Sequence, residues 1–159
     1  MENLSKGSMN GVVLMRILIG WHFLYEGVLK MYNSSWTSKG YLMSAELLSP
    51  FYQWLGSDSM IGIVDDLNKF TLMLVGLALI LGIFERIGSV AGIALLILYY
   101  LAHPAFPGMA QTGAEGSYWI VNKNLIEASA LYVVFLIPTG HYFGLSGIIK
   151  SSSTKPITE

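Results

Sequence analysis

The sequence predicts an all-α integral membrane protein, a four-helix transmembrane bundle with short amphipathic helices in its first long loop. Three observations carry that reading. Four apolar stretches recur, over about residues 12–31, 70–84, 87–102 and 125–137. Hydrophobic residues make up 53% and charged residues 12% of the 159 residues, with a mean hydropathy of +0.56, whereas soluble domains carry about 25% charged residues. The first stretch holds Arg16, His22, Glu26 and Lys30 within it. Ionisable groups at membrane depth face a protein interior or a wet cavity and are functional candidates there. With about 100° per residue, Lys30, Glu26 and His22 fall at about −40°, −80° and −120° from Arg16, so all four share one face and the first helix is expected to look inward.

Length leaves room for one domain over residues 1–150, followed by a Ser/Thr-rich tail over 151–159 that buries too little apolar area to fold. A net charge of −1 offers no footprint for nucleic acid. With no cysteine, the chain supplies no disulfide, thiolate metal site or iron–sulfur ligand. The first apolar run, long, polar-striped and without a small-residue cleavage pattern behind it, reads as a retained signal-anchor helix.

Asn10 is expected to cap the first helix, which runs to about Tyr32. In the long connection that follows, Tyr41, Leu42, Ala45 and Leu48 are spaced for one apolar stripe, and Ser49 with Pro50 reads as a cap and first-turn proline. Phe51, Tyr52 and Trp54 suit a membrane interface. Two short helices lying on the membrane or over the bundle mouth are therefore predicted. Met60, Ile63, Val64, Leu67, Phe70 and Leu74 lead amphipathically into the second span. Glu85 and Arg86 form a tight turn into the third, where Gly88 and Gly92 permit close helix approach. Pro104 and Pro107 end that span after His103, Gly108, Gly113 and Gly116 keep the next loop irregular, and Tyr118 and Trp119 mark the return to the interface. The fourth span starts near Lys123, holds Glu127 and stops at Pro138 and Gly140, so both termini lie on one side. Basic residues divide evenly between the two sides and leave orientation open.

The run from Leu14 to Gly20, with Phe23, Gly27 and Lys30, then Gly82-Ile83-Phe84 with Arg86, Lys123-Asn124-Leu125 and Pro138-Thr139-Gly140, resembles the DoxX family of small four-helix membrane proteins over about residues 11–147. The resemblance implies a bundle in the bacterial cytoplasmic (inner) membrane with cytoplasmic termini, which makes the first long loop extracytoplasmic. Its relatives include membrane subunits of thiosulfate:quinone oxidoreductases, so it implies a quinone-linked role.

Parallel first and third helices place Lys30, His103 and Lys123 near the far surface. Glu26 and Glu127 each lie about 6 Å deeper, so two carboxylates are expected to meet at one depth. A quinol headgroup needs hydrogen-bond partners and a proton acceptor tuned toward neutrality. Glu26, Glu127 and His22 are the candidate proton-handling residues. Arg16, Tyr25, Lys30, His103, Trp119 and Lys123 are the candidate cofactor contacts. Against this stands a structural alternative in which Glu26–Lys30 is an ordinary i, i+4 ion pair, Arg16 pairs with a carbonyl or Glu85, and His22 is a satisfied core donor. No two histidines share a level, so no haem is expected. His22, Glu26, His103 and Glu127 are conceivable as metal ligands, but no metal is assigned.

Two functions compete: a quinone-interacting subunit of a membrane-associated oxidoreductase, and a non-catalytic anchor or assembly partner for another protein. The expected partners are the lipid bilayer, an extracytoplasmic or membrane redox protein, and a second copy of the chain.

Overall fold

The computed structural model describes residues 4–107 and 117–153. The loop around Gly108, Gly113 and Gly116, and residues 154–159 of the expected tail, lie outside the described residues.

The first helix, α1 (Lys6–Tyr32), starts earlier than its apolar run. Ser5 caps it, its hydroxyl accepting from the Ser8 N–H at 3.1 Å. Asn10, the expected cap, lies inside the helix and accepts from the Tyr142 hydroxyl at 3.1 Å. The long connection forms two short helices, α2 (Lys39–Met43) and α3 (Ser49–Leu55). Ser49 is not the cap of α3: Leu48 occupies that position with φ 54°, and the Ser49 hydroxyl donates back to the Ala45 carbonyl at 2.7 Å. Only part of the expected stripe is covered, since Leu42 and Ala45 are buried while Tyr41 and Leu48 remain exposed.

The long helices α4 (Ile61–Leu81) and α5 (Glu85–Ala102) are joined by the turn Gly82–Phe84. Glu85 and Arg86 therefore belong to the first turn of α5 and not to the connection. Gly82 takes φ 67°, the left-handed conformation that ends α4 without a Cβ penalty. After the hairpin β1 (Ser117–Tyr118) and β2 (Val121–Asn122), Asn122 caps α6 (Lys123–Leu136), its side chain accepting from the Leu125 N–H. A last helix, α7 (Leu145–Ser153), which the polar sequence past Ser151 did not suggest, extends three residues into the expected tail.

Helix α1 packs on α4, α4 on α5, α5 on α6, and α6 closes back on α1. Ile19, Phe23, Leu72, Val75, Leu79, Leu96, Leu131 and Val134 fill the space between them. The seam between α1 and α4 is closest, because Gly20 and Gly76 face each other: a Cβ on Gly76 would lie 2.5 Å from the Leu24 nitrogen and 2.7 Å from the Gly20 carbonyl oxygen. Gly88 and Gly92 also face neighbours, respectively Ala78 on α4 and Leu131 on α6.

The α2–α3 segment covers one end of these helices. Leu42, Ala45 and Tyr52 pack on Ala102, and the hydroxyls of Tyr52 and Tyr41 donate to the carbonyls of Leu98 and Tyr99 at 2.7 and 2.8 Å. Desolvation of these hydroxyls against the end of α5 pushes both phenols up from their usual pKa, even though the Tyr41 ring is partly exposed, so they stay protonated donors at any physiological pH.

Two helices, α1 and α5, are long and apolar enough to cross a membrane. The charges of Asp65, Asp66 and Lys69 occupy the first turns of α4, and the 14 residues of α6 rise about 21 Å, less than a ~30 Å hydrocarbon core. Yet large apolar side chains point outward from all four: Leu14, Leu18 and Trp21 on α1, Leu67 and Phe70 on α4, Ile87 and Val90 on α5, and Ile126 and Tyr132 on α6.

The α1–α4 contact yields a stability prediction. Gly76→Ala should destabilise the protein by about 1–3 kcal/mol, the cost of overpacking a close contact. Gly62→Ala, in the first turn of α4 with open space around it, should be neutral or stabilising by up to ~1 kcal/mol. Thermal unfolding of both variants in mild detergent checks the difference.

Candidate functional site

The four ionisable residues of α1 share an arc but not an environment. Along it, side-chain exposure rises from 0% at Arg16 through 18% at Lys30 and 41% at Glu26 to 44% at His22. The arc therefore swings from the core to a groove, and only its Arg16 edge looks fully inward.

Arg16, expected among the cofactor contacts, is sealed in the core at the start of α5. Its guanidinium donates to Glu85 Oε1 at 2.8 Å, to Thr139 Oγ1 at 3.1 Å and to the Phe143 carbonyl at 2.6 Å. Glu85 Oε2 in turn accepts from the Thr139 N–H at 2.7 Å. Gly140 lies against the Gly82 carbonyl and the Glu85 carboxylate so closely that any Cβ would strike both. This geometry matches the structural alternative for Arg16 and removes it from any ligand pocket.

At the other end of the arc, His22 Nδ1 lies 2.7 Å from Glu127 Oε1 on α6. Glu127 is thus level with His22, about one turn of α1 deeper than Glu26. The two carboxylates do not share a partner: Glu127 meets the imidazole, while Glu26 accepts from the Lys30 ammonium. Lys30 also lies 5.5 Å over the Trp36 ring, which carries Lys69 at the same distance. Lys123, one turn before Glu127 on α6, stands at the same opening as the His22–Glu127 pair.

That opening is the polar end of a groove of about 550 Å³ between α1 and α6. Leu14, Met15, Leu18, Ile126 and Ala130 make the remainder apolar. From His22 to Gly11 the groove follows α1 for about 16 Å. Its signal in the sequence was the outward apolar stripe of α1, which reads equally as lipid-facing surface.

Of the predicted contacts only Lys123 lines this groove; besides Arg16 and Lys30, three more lie away from it. His103 Nε2 donates to the Tyr41 carbonyl at 2.9 Å, and its ring packs 4.4 Å from that of Tyr41. Trp119, at φ 59°, projects from the hairpin at 74% exposure. Tyr25 is exposed beside Trp21, their ring centroids 6.4 Å apart. Sequence reasoning also missed the pair of Asn68 and Tyr99, in which the amide donates to the phenol oxygen at 2.6 Å. Among the described residues no group of three or more His, Cys, Asp or Glu side chains is arranged to hold a metal ion.

Chemically, an ionised Glu127 accepting from Nδ1–H fixes the imidazole tautomer and leaves Nε2 as a hydrogen-bond acceptor. An imidazole held this way beside an apolar groove can accept from a ligand hydroxyl through Nε2 and, once protonated there, donate to a ligand carbonyl.

The buried ion pair gives a second test. Arg16→Met should cost about 3–5 kcal/mol, because it leaves the Glu85 carboxylate buried without its cation. Combining it with Glu85→Gln should lose less than the sum of the two single variants. A double-mutant cycle on unfolding free energies measures that coupling.

Comparison with protein-family models, with curated proteins and with solved structures finds no match to this chain.

Proposed function

We propose that the chain is a DoxX-like multi-pass protein of the bacterial cytoplasmic membrane in which α1, α4, α5 and α6 all span. Its role is to bind a quinone in the α1–α6 groove as a subunit of a membrane-associated oxidoreductase. The observation that carries this reading is the His22–Glu127 pair at the polar end of an apolar groove about 16 Å long. An amphiphile with a hydrogen-bonding head and an apolar tail fits both halves.

The outward apolar side chains of all four helices support the membrane reading, since a water-exposed surface of that extent is rare in soluble monomers. The charged start of α4 lies in the headgroup region in this arrangement, and the short α6 is extended by the hairpin and by Ile137 at its ends.

A quinone, when bound, supplies two-electron, two-proton redox chemistry. His22 Nε2 would accept from a quinol hydroxyl or, as imidazolium, donate to a quinone carbonyl; Glu127 would hold the ring through Nδ1 and stabilise its cation, and the Lys123 ammonium would stabilise negative charge nearby. Leu14, Leu18 and Ile126 keep water from the tail. Electrons come from a redox partner protein, because the chain has no cysteine and its three histidines stand at separate places.

A second reading, an anchor or assembly partner, is favoured by one observation. Arg16 and Lys30 are both committed to carboxylates, while Leu48, Phe51 and Trp54 stand exposed on the α2–α3 cap. In that case the cap docks another protein and the groove holds bulk lipid.

Titrating the full chain in mild detergent with a short-tailed ubiquinone separates the two. Quinone binding should weaken about tenfold in His22→Ala and in Glu127→Gln, the worth of one hydrogen bond to a charged group. Unchanged binding in both variants, or none in the wild type, would leave the anchor reading.

The topology has its own check. Reporters fused at residues 6 and 155 should both score cytoplasmic in a bacterial host. Opposite signals would exclude four spans.

A further inference from the structure

At the end of the molecule opposite the His22–Glu127 pair, two clefts meet across the α4–α5 turn. The first, of about 380 Å³, lies between the start of α5 and the 138–146 segment, with Arg86, His141 and Ser146 on its wall. The second, of about 660 Å³, runs along the outer faces of α4 and α5 and is lined by apolar residues such as Leu74, Leu77 and Ala91. Phe84 and Ile87 line both clefts. One molecule can therefore place a polar end in the first and an apolar chain in the second.

The first cleft carries one cation, the Arg86 guanidinium, on a largely apolar wall. Glu85, the carboxylate on its wall, is turned inward to Arg16 and the Thr139 N–H. Among the described residues no carboxylate pairs with Arg86 or His141. A guanidinium is always charged and presents a planar fork that matches phosphate oxygens. Between Thr71 and Leu81 the apolar cleft follows α4 for about 15 Å of helical rise, about one leaflet of a ~30 Å core.

We infer that these joined clefts are a binding site for an anionic phospholipid, its phosphate held by Arg86 and His141 and one acyl chain laid between α4 and α5. A quinone has no charge to engage Arg86, and a soluble phosphate has no use for the apolar cleft. The inference rests on the reading of the chain as membrane-spanning, in which the α4–α5 turn lies at the bilayer surface. It does not depend on the α1–α6 groove.

Native mass spectrometry of the full chain in mild detergent, titrated with dioleoylphosphatidylglycerol or dioleoylphosphatidylcholine, tests it. The wild type should retain the anionic lipid in preference to the zwitterionic one. Arg86→Gln should weaken retention of the anionic lipid about fivefold, the worth of one juxtamembrane cation, and weaken the zwitterionic lipid by less, because its choline offsets the charge of the phosphate. Leu74→Gln, at an exposed position in the apolar cleft, should weaken both. Inorganic phosphate should not compete. Full competition by phosphate would make this a free-anion site and overturn the lipid assignment. So would a double variant, Arg86→Gln with His141→Gln, that keeps the wild-type preference. Flotation with lipid vesicles separates the levels of failure: a chain that does not co-float removes the membrane reading and this inference together. A chain that co-floats while the double variant keeps its preference removes this inference alone. His22→Ala should bind both lipids as the wild type does.

Discussion

The buried pair of Arg16 and Glu85 is the constraint around which the other elements are arranged. A guanidinium and a carboxylate removed from water are tolerable only if nearly every donor and acceptor finds a partner. Here those partners come from three separate places: the third turn of α1, the first turn of α5, and the segment Thr139–Phe143 after α6. Satisfying the pair thus fixes where α1 stands relative to α5 and where the chain must turn after α6. It also demands room, which explains why Gly82 and Gly140 meet there without side chains. One end of the helix assembly is consequently a closed polar knot inside an apolar shell.

The groove at the other end follows from how α1 is shared between its neighbours. Gly20 and Gly76 draw α1 onto α4 until backbone meets backbone. A helix pulled to one side leaves a gap on the other, and the seam with α6 is where the gap opens. Larger residues fill the rim of that gap, and the His22–Glu127 contact bridges it. The same two glycines that tighten one seam therefore make space in the next, so packing and the candidate site are two outcomes of one register.

Much of this was legible in the residues. Helical periodicity and proline positions located the long helices and the two short ones, because apolar stripes and chain breaks are local properties. Cap positions were less legible: Ser5 competes with Asn10, and Leu48 caps α3 in a left-handed conformation that its side chain gives no hint of. The arc of Arg16, Lys30, Glu26 and His22 was visible as an angle, but an angle says nothing of which helix lies where. The sequence placed Glu26 opposite Glu127 by counting turns from two surfaces, and the real offset between α1 and α6 is one turn different. Arg16 could be paired with Glu85 or left to a ligand, and the choice depended on the long-range arrival of Thr139 and Phe143. The joined clefts beside Arg86 had no local signal, since they belong to three segments that meet only in the folded chain.

The α1–α6 groove opens sideways between two helices. For a chain embedded in a bilayer, such an opening draws its occupant from the membrane's own solute pool. Occupancy then follows the mole fraction of the ligand among the lipids and is indifferent to its solubility in water. Tight intrinsic affinity is not required of such a site; what it needs is discrimination, a head-sized polar end that ordinary acyl chains cannot satisfy.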